Sequence, residues 1–261
     1  MKLTQTQKDL LRNLICGGKI DSFSGNTISS LKRRGFIYKD SSLTKKGFLK
    51  SLELVSLDKQ CSLLSLNLIG KEVSSLNSPE LQAFKWFKSQ GFIGAFCEGG
   101  AILTTLKALV LDKLTELNTF NSREDACIRF LETQFTILSD QKNELLTSIL
   151  ETSHSRFLNN FSEIINHKSI QEYYPGLSIE FAEHFGKRFD REVFFRIAEI
   201  FFQAPYDYRK GWPDLTLVNN EEVRFVEIKT TDKLHQSQIQ IIDRFRPLIP
   251  AKFEILKLTK S

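Results

Sequence analysis

The sequence predicts a mixed α/β fold in two unequal parts, and three observations carry the prediction. The stretch Gly211–Lys229, GWPDLTLVNNEEVRFVEIK, reads as two strands around an Asn-Asn-Glu-Glu turn, followed by a helix and an alternating last strand. Between residues 122 and 202, apolar side chains recur at helical spacing through several segments. Residues 1–56 have another rhythm, two short helices and then two short strands around a tight turn.

Bulk composition narrows the class. A chain of 261 residues suits one large domain or two of unequal size. With 41% hydrophobic residues and 22 phenylalanines it can bury a sizeable core, unlike a disordered tail. No run of about 18 apolar residues occurs, so no membrane span is expected. The opening MKLTQTQKDLLRN lacks the apolar core of a secretion signal, which points to an intracellular, cytoplasmic or nucleoid protein. Cys16, Cys61, Cys97 and Cys127 are far apart, with no CxxC pair and no histidine at zinc spacing, and read as reduced, mostly buried thiols. A net charge of +5 permits a nucleic-acid partner without demanding one. The oligomeric state stays open, and a homodimer is compatible with the composition.

In the N-terminal part, residues 4–16 place Leu10, Leu11, Leu14 and Ile15 on one helical face, and Gly17-Gly18 ends that helix. Asn26 is a good cap for a second helix, TISSLKRRG, which Gly35 terminates. FIYKDSSLTKKGF then reads as two short strands around a Lys39–Ser42 turn, with Thr44 able to cap the segment after it. This order resembles the winged helix-turn-helix domains of DNA-binding proteins. The resemblance implies a recognition helix at residues 26–34 and a wing at 39–46, with Lys32, Arg33, Arg34, Lys45 and Lys46 offering phosphate contacts. The plainer reading of these charges is a solvated face on a small docking domain.

Residues 57–78 read as a linker, and the apolar run Leu63–Ile69 fits a strand or a buried helical turn equally well. Ser78-Pro79 then opens a helix, PELQAFKWFKSQ, that should bury Leu81, Phe84 and Phe87 or Trp86 and stop at Gly91. Glu98 stands before Gly99-Gly100 and an apolar helix at 101–114. On residue physics alone it reads as a helix cap favoured by the N-terminal dipole, with an active-site role as the alternative. The phenylalanines of the helical middle read as core and not as stacking platforms for bases. His154, His167 and His184 read as surface or satisfied histidines.

The C-terminal hairpin holds the chemistry. Side chains alternate faces along a strand, so Glu227 and Lys229 must point the same way, and the turn brings Asp214 beside them. Two carboxylates with an ammonium make a hard-cation site of the kind that cuts phosphodiesters. Arg209 and Lys210 precede Asp214 as candidate phosphate clamps. Asp232 is placed to cap the helix KLHQSQIQIIDRF, and AKFEILKLT reads as a closing strand.

A helix with a glutamate, a hairpin, a helix and a strand is the element order of the PD-(D/E)xK restriction-endonuclease-like core. RKGWPDLTLV, VRFVEIK and the DxLxxxQ set Asp232, Leu234 and Gln238 resemble the VRR-NUC nucleases, most of all the Fanconi-anaemia-associated nuclease group. The resemblance covers residues 79–261 and makes 118–210 a helical insert. Cys97-Glu98-Gly99 falls where that group has its EG dipeptide, which implies that Glu98 is a metal ligand and not a cap. Thr230-Thr231-Asp232 is shorter than the group's usual G-P-x-D, and Ser237 stands where a basic residue commonly precedes the glutamine. These departures bear on substrate preference more than on the metal site.

The resemblance implies that Glu98, Asp214 and Glu227, with the Ile228 carbonyl, bind Mg²⁺ or Mn²⁺ through oxygen ligands. Lys229 would serve as base or charge stabiliser, with Gln238 orienting water or Lys229. DNA is the expected partner, and a structure-selective repair nuclease acting on flaps or branches the expected activity. The alternatives are a restriction-type defence endonuclease and a non-catalytic winged-helix protein that keeps the nuclease fold as a scaffold.

Overall fold

One mixed sheet organises the chain, which the computed structural model describes at residues 2–117, 122–174 and 176–261. The sheet contains β1 (Asn67–Val73), β2 (Ile93–Ala95), β3 (Leu215–Val218), β4 (Val223–Lys229) and β5 (Lys252–Lys260). Their order is β1-β5-β4-β3-β2, with β1 and β4 parallel to β5, and β3 antiparallel to both β4 and β2. The hairpin forms as the Asn-Asn-Glu-Glu turn predicts. The Asn219 side chain accepts from the backbone N–H groups of Glu221 and Glu222, each at 2.8 Å.

The N-terminal helices are α1 (Gln5–Ile15), α2 (Gly25–Arg33) and α3 (Lys45–Leu52), followed by α4 (Leu57–Leu64). Leu10, Leu11, Leu31, Phe36 and Ile37 form a small core of their own. A single antiparallel bridge, Ile37 to Leu43, is what the two expected short strands amount to. Thr44 caps α3, with the Gly47 N–H donating to its Oγ1 at 3.0 Å. Asn26 is not the cap of α2; Ser24 is, since its hydroxyl accepts from the Thr27 N–H and the helix already starts at Gly25.

The stretch 57–78, expected as a linker, carries α4 and the edge strand β1, so the sheet recruits it. The Leu63–Ile69 run is divided between the two elements by Ser65, which takes a left-handed φ of 51° at the end of α4. The N-terminal module is docked firmly. The Gln60 amide donates to the Leu234 carbonyl at 3.1 Å and accepts the Leu234 N–H at 2.8 Å, and Lys233 Nζ donates to the Glu53 carbonyl at 2.6 Å.

α5 (Pro79–Ser89) starts at Pro79 as expected, but Ser78 is left-handed and makes no side-chain cap. The helix buries Ala83 and Phe87, while Leu81 faces solvent, because only one narrow stripe meets the sheet. α6 (Gly100–Glu116) is buried around most of its length, not on one face only, because the helical middle wraps it. That middle comprises α7 (Arg123–Ile128), α8 (Leu131–Ile137), α9 (Lys142–Glu151), α10 (His154–Ile165), α11 (Lys168–Tyr173), α12 (Ile179–Arg188), α13 (Arg191–Phe201) and α14 (Pro205–Tyr208). Residues 118–121 of the expected insert lie outside the described residues. Most phenylalanines of these helices are core, as their spacing predicts.

α15 (Gln236–Phe245) joins β4 to β5. Its N-cap is His235, whose N–H donates to Gln238 Oε1 at 2.9 Å, and not Asp232, which has other partners in the site. The cysteines are all free, but only Cys61 and Cys127 are buried. Among the described residues no helix is long and apolar enough to cross a membrane.

Candidate active site

Alternation along β4 sets the site. Val226 and Ile228 pack into the cluster with Phe87 and Leu256, while Phe225 joins the larger core on the other face. Glu227 and Lys229 share the face of Phe225, as the spacing requires. Both are buried, and Lys229 Nζ lies 3.1 Å from Glu227 Oε1 and 3.2 Å from Asp232 Oδ2. Gln238, on the first turn of α15, donates its amide to the same Glu227 oxygen at 2.5 Å. Glu227 Oε2 is buried and has no hydrogen-bond partner.

Asp214 precedes β3, and its Oδ2 accepts the Ile228 N–H at 2.7 Å, which ties the loop before one strand to the next strand. Gly211 lets the loop before Asp214 pack on the start of α15: its φ is +86°, and an added Cβ would meet the Ser237 backbone at 2.4 Å. Ser237, which stands where a basic residue is common in the resembling group, thus sits at a backbone contact.

Electrostatics set the two carboxylates apart from ordinary surface acids. Burial pushes Glu227 up to about 8, the Asp214 charge adds to this, and Lys229 opposes it. Burial likewise lifts Asp214 to about 6; the Ile228 N–H opposes the rise, and the charges of Glu80 and Glu98 reinforce it. Burial alone would lower Lys229, but Glu227 and Asp232 outweigh it and hold the ammonium above its ordinary value.

Glu98 does not cap α6; the N-cap is Gly99, with no side-chain bond. It instead lines an open cleft of about 490 Å³ together with Asp214, Arg209, Glu80, Tyr173 and Tyr174. Its φ of +45° is left-handed, unusual for a residue with a side chain. The two following glycines allow the fit, since a Cβ on Gly100 would lie 2.5 Å from the Tyr174 ring and one on Gly99 would lie 2.9 Å from Trp212.

Sequence reasoning does not single out Glu80. The signal available is its place in the first turn of α5, directly after Pro79. Among the described residues, no group of three or more His, Cys, Asp or Glu side chains is gathered tightly enough to hold a metal ion. Asp214 and Glu98 share the cleft, while Glu227 lies behind it with Gln238 around a narrow interior gap. The donors themselves suit a hard cation: oxygens only, one of them an unpartnered buried carboxylate oxygen beside a second carboxylate.

The expected phosphate-contacting residues divide by position. Arg209 lines the cleft and is held by buried Glu132 at 3.0 Å, while Lys210 is exposed beside it. Lys32 donates to the Lys39 carbonyl, Arg34 to Gln7, and Lys46 to the Arg34 carbonyl, and Arg33 is exposed. Lys45 pairs with Asp243 of α15 at 2.9 Å, so it fastens the N-terminal module to the sheet. None of His154, His167 or His184 lines the cleft.

No family model matches the chain, and no curated protein matches it. Solved structures do. A crystal structure of paFAN1 bound to 2-nt 5′-flap DNA with a gap aligns over 98% of this chain at a TM-score of 0.55 and 14% identity. A second, bound to 1-nt 5′-flap DNA with a gap, aligns over 98% at a TM-score of 0.54 and 15% identity. This chain spans about half of either one, 52% and 53% of their lengths. The likeness is one of fold, and it extends over the N-terminal module as well as the sheet.

Proposed function

We propose that this protein is a metal-dependent DNA nuclease of the VRR-NUC kind, with a PD-(D/E)xK core, that acts on flapped or branched DNA in repair. One observation carries the reading: Asp214, Glu227 and Lys229 converge across the β3–β4 hairpin, with both carboxylates raised and one buried oxygen lacking any partner. The flap DNA bound by both paFAN1 structures supports DNA as the partner.

The residues that would hold Mg²⁺ or Mn²⁺ are Asp214, Glu227 and the Ile228 carbonyl, with Glu98 and Glu80 sharing the cleft with Asp214. When bound, the ion supplies charge compensation for the attacking and leaving oxygens of the phosphodiester. Gln238 fixes the orientation of the Glu227 carboxylate from α15. Lys229, held charged between Glu227 and Asp232, meets the negative charge that builds on the phosphate. Arg209 presents its guanidinium to the substrate backbone, preorganised by Glu132.

In this reading the N-terminal module acts as a winged helix. α3 faces α15, and Arg33 and Lys32 of α2 remain on an outer face suited to phosphates. A second reading, a DNA-binding protein that keeps the fold as a scaffold, is favoured by the lack of a ready three-carboxylate cluster among the described residues. Magnesium-dependent cleavage of a 5′-flap substrate separates the two. The nuclease reading expects cutting that EDTA abolishes and that flaps elicit far more than plain duplex. Binding without cutting in either metal favours the scaffold.

A further inference from the structure

We infer that the cleft mouth carries an aromatic platform on which unpaired bases of a single-stranded DNA segment stack. The inference rests on the nuclease reading above and assigns the single-strand side of the same site.

This chain buries most of its large rings, so exposed rings in contact with one another mark a candidate interaction surface. Among the described residues the exposed aromatic side chains are Tyr38, Phe130, Tyr173 and Tyr206; Phe130 and Tyr173 touch each other, and Tyr206 neighbours the cleft-lining Arg209. Tyr173, at 64% exposure the most open of them, lines the cleft that contains Asp214 and Glu98. Phe130 meets it edge to face at 5.7 Å between centroids, and Tyr174 follows at 6.3 Å. On the other flank, Arg209 lies over the Tyr206 ring at 5.4 Å, and Thr133 holds the Tyr206 hydroxyl at 3.2 Å.

Tyr173 thus opens into the cleft with Phe130 packed against it, and Tyr206 lies under Arg209, which lines the same cleft. Aromatic faces beside a guanidinium are the chemistry that takes unstacked bases and their phosphates without regard to sequence. An apolar peptide would use the rings but not their continuity with the carboxylate cleft or with Arg209. From sequence the helical middle reads as core alone. Its phenylalanine spacing supports that for the buried rings, while Phe130 holds the N-cap position of α8 and Tyr173 is the last residue of α11, ends where helical periodicity says little.

The test is a binding titration in EDTA, using fluorescently labelled oligo-dT, a 5′-flap duplex and a blunt duplex. Wild-type protein is compared with Tyr173→Ala, Phe130→Ala and Tyr206→Ala, and with Tyr173→Trp. We expect each alanine to weaken oligo-dT and flap binding about tenfold, the blunt duplex to be unaffected, and tryptophan to restore affinity. All three positions are exposed, and circular dichroism checks that each variant folds. Ring-independent binding of oligo-dT and flap overturns the inference, as does an equal loss on blunt duplex or a tryptophan that fails to rescue. Because the readout is binding, it separates the two claims: a wild-type protein that stacks single strands but cuts nothing sinks only the nuclease reading. One that cuts flaps but binds them independently of the rings sinks only the platform.

Discussion

Replacing Glu227 by glutamine should stabilise the protein in EDTA while removing the proposed nuclease activity. The buried carboxyl is raised from an ordinary 4.5 to about 8, with burial the largest cause and Asp214 the next. At pH 7 the unfolded chain ionises this group and the folded chain resists doing so. The span from 4.5 to 7, about 2.5 pH units at roughly 1.4 kcal/mol each, sets the penalty on folding at about 3 kcal/mol. The Glu227→Gln change removes the penalty, keeps an acceptor for Gln238, and turns the partnerless oxygen into a donor. The raised value already includes the pull of Lys229, which keeps Asp232, so after allowing for imperfect packing of the amide the net gain should be about 1–2 kcal/mol, or about 3–6 °C in Tm. A raised carboxyl destabilises only above its unfolded value, so the gain should vanish near pH 4.5 and be largest above pH 8. The assay is thermal unfolding in EDTA from pH 4.5 to 8.5, monitored by circular dichroism. Magnesium should then raise the Tm of wild type and leave that of the variant nearly unmoved. A variant that melts below wild type at pH 8, or a gain that does not depend on pH, defeats the burial argument.

Other perturbations have equally definite outcomes. Asp112 accepts from Arg156 and Arg123, and these bonds hold its carboxyl well below the usual range. Such a group stabilises above its ordinary 3.8 and loses the contribution as pH falls. Asp112→Asn should therefore cost about 1 kcal/mol at pH 7, given its partial exposure, and progressively less below pH 4, read in urea melts. Gly100→Ala would press a methyl into the Tyr174 ring at 2.5 Å, and should lower stability by about 1–3 kcal/mol while disturbing the cleft, read as a lower Tm and slower flap cleavage. Glu132→Gln frees Arg209 and should raise KM for flap DNA several-fold with little change in kcat, measured by steady-state cleavage.

Much of the fold is legible in the sequence because period and punctuation agree. The period-2 run of β4, the Asn-Asn-Glu-Glu turn and the alternating β5 follow from side-chain alternation alone. The shared face of Glu227 and Lys229 follows from the same alternation, and the approach of Asp214 from the turn. What fails depends on tertiary context. β1 is an edge strand whose partner, β5, lies at the far end of the chain, so nothing local distinguishes residues 67–73 from a linker. Asn26 and Ser24 are both good caps, and only the observed start at Gly25 selects Ser24. Asp232 looks like a cap until Lys229 is seen beside it. Glu98 is the instructive case: its helix-end position suggests a cap, but Gly99 takes the N-cap position of α6 and the glutamate lines the cleft. Glu80 stays hidden because an acidic residue after proline is ordinary helix-start chemistry, and only the folded chain brings its charge to bear on Asp214.

Cleavage of a 5′-flap substrate by Glu227→Gln beside wild type is the decisive experiment for the proposed metal site. With Mg²⁺ or Mn²⁺ present, wild type should cut the flap, EDTA should stop it, and the variant should bind the same DNA with unchanged affinity while cutting at least about 100-fold more slowly. A variant that cuts at the wild-type rate, or a wild-type protein that cuts no flap with either metal, rules out a nuclease built on Asp214, Glu227 and Lys229.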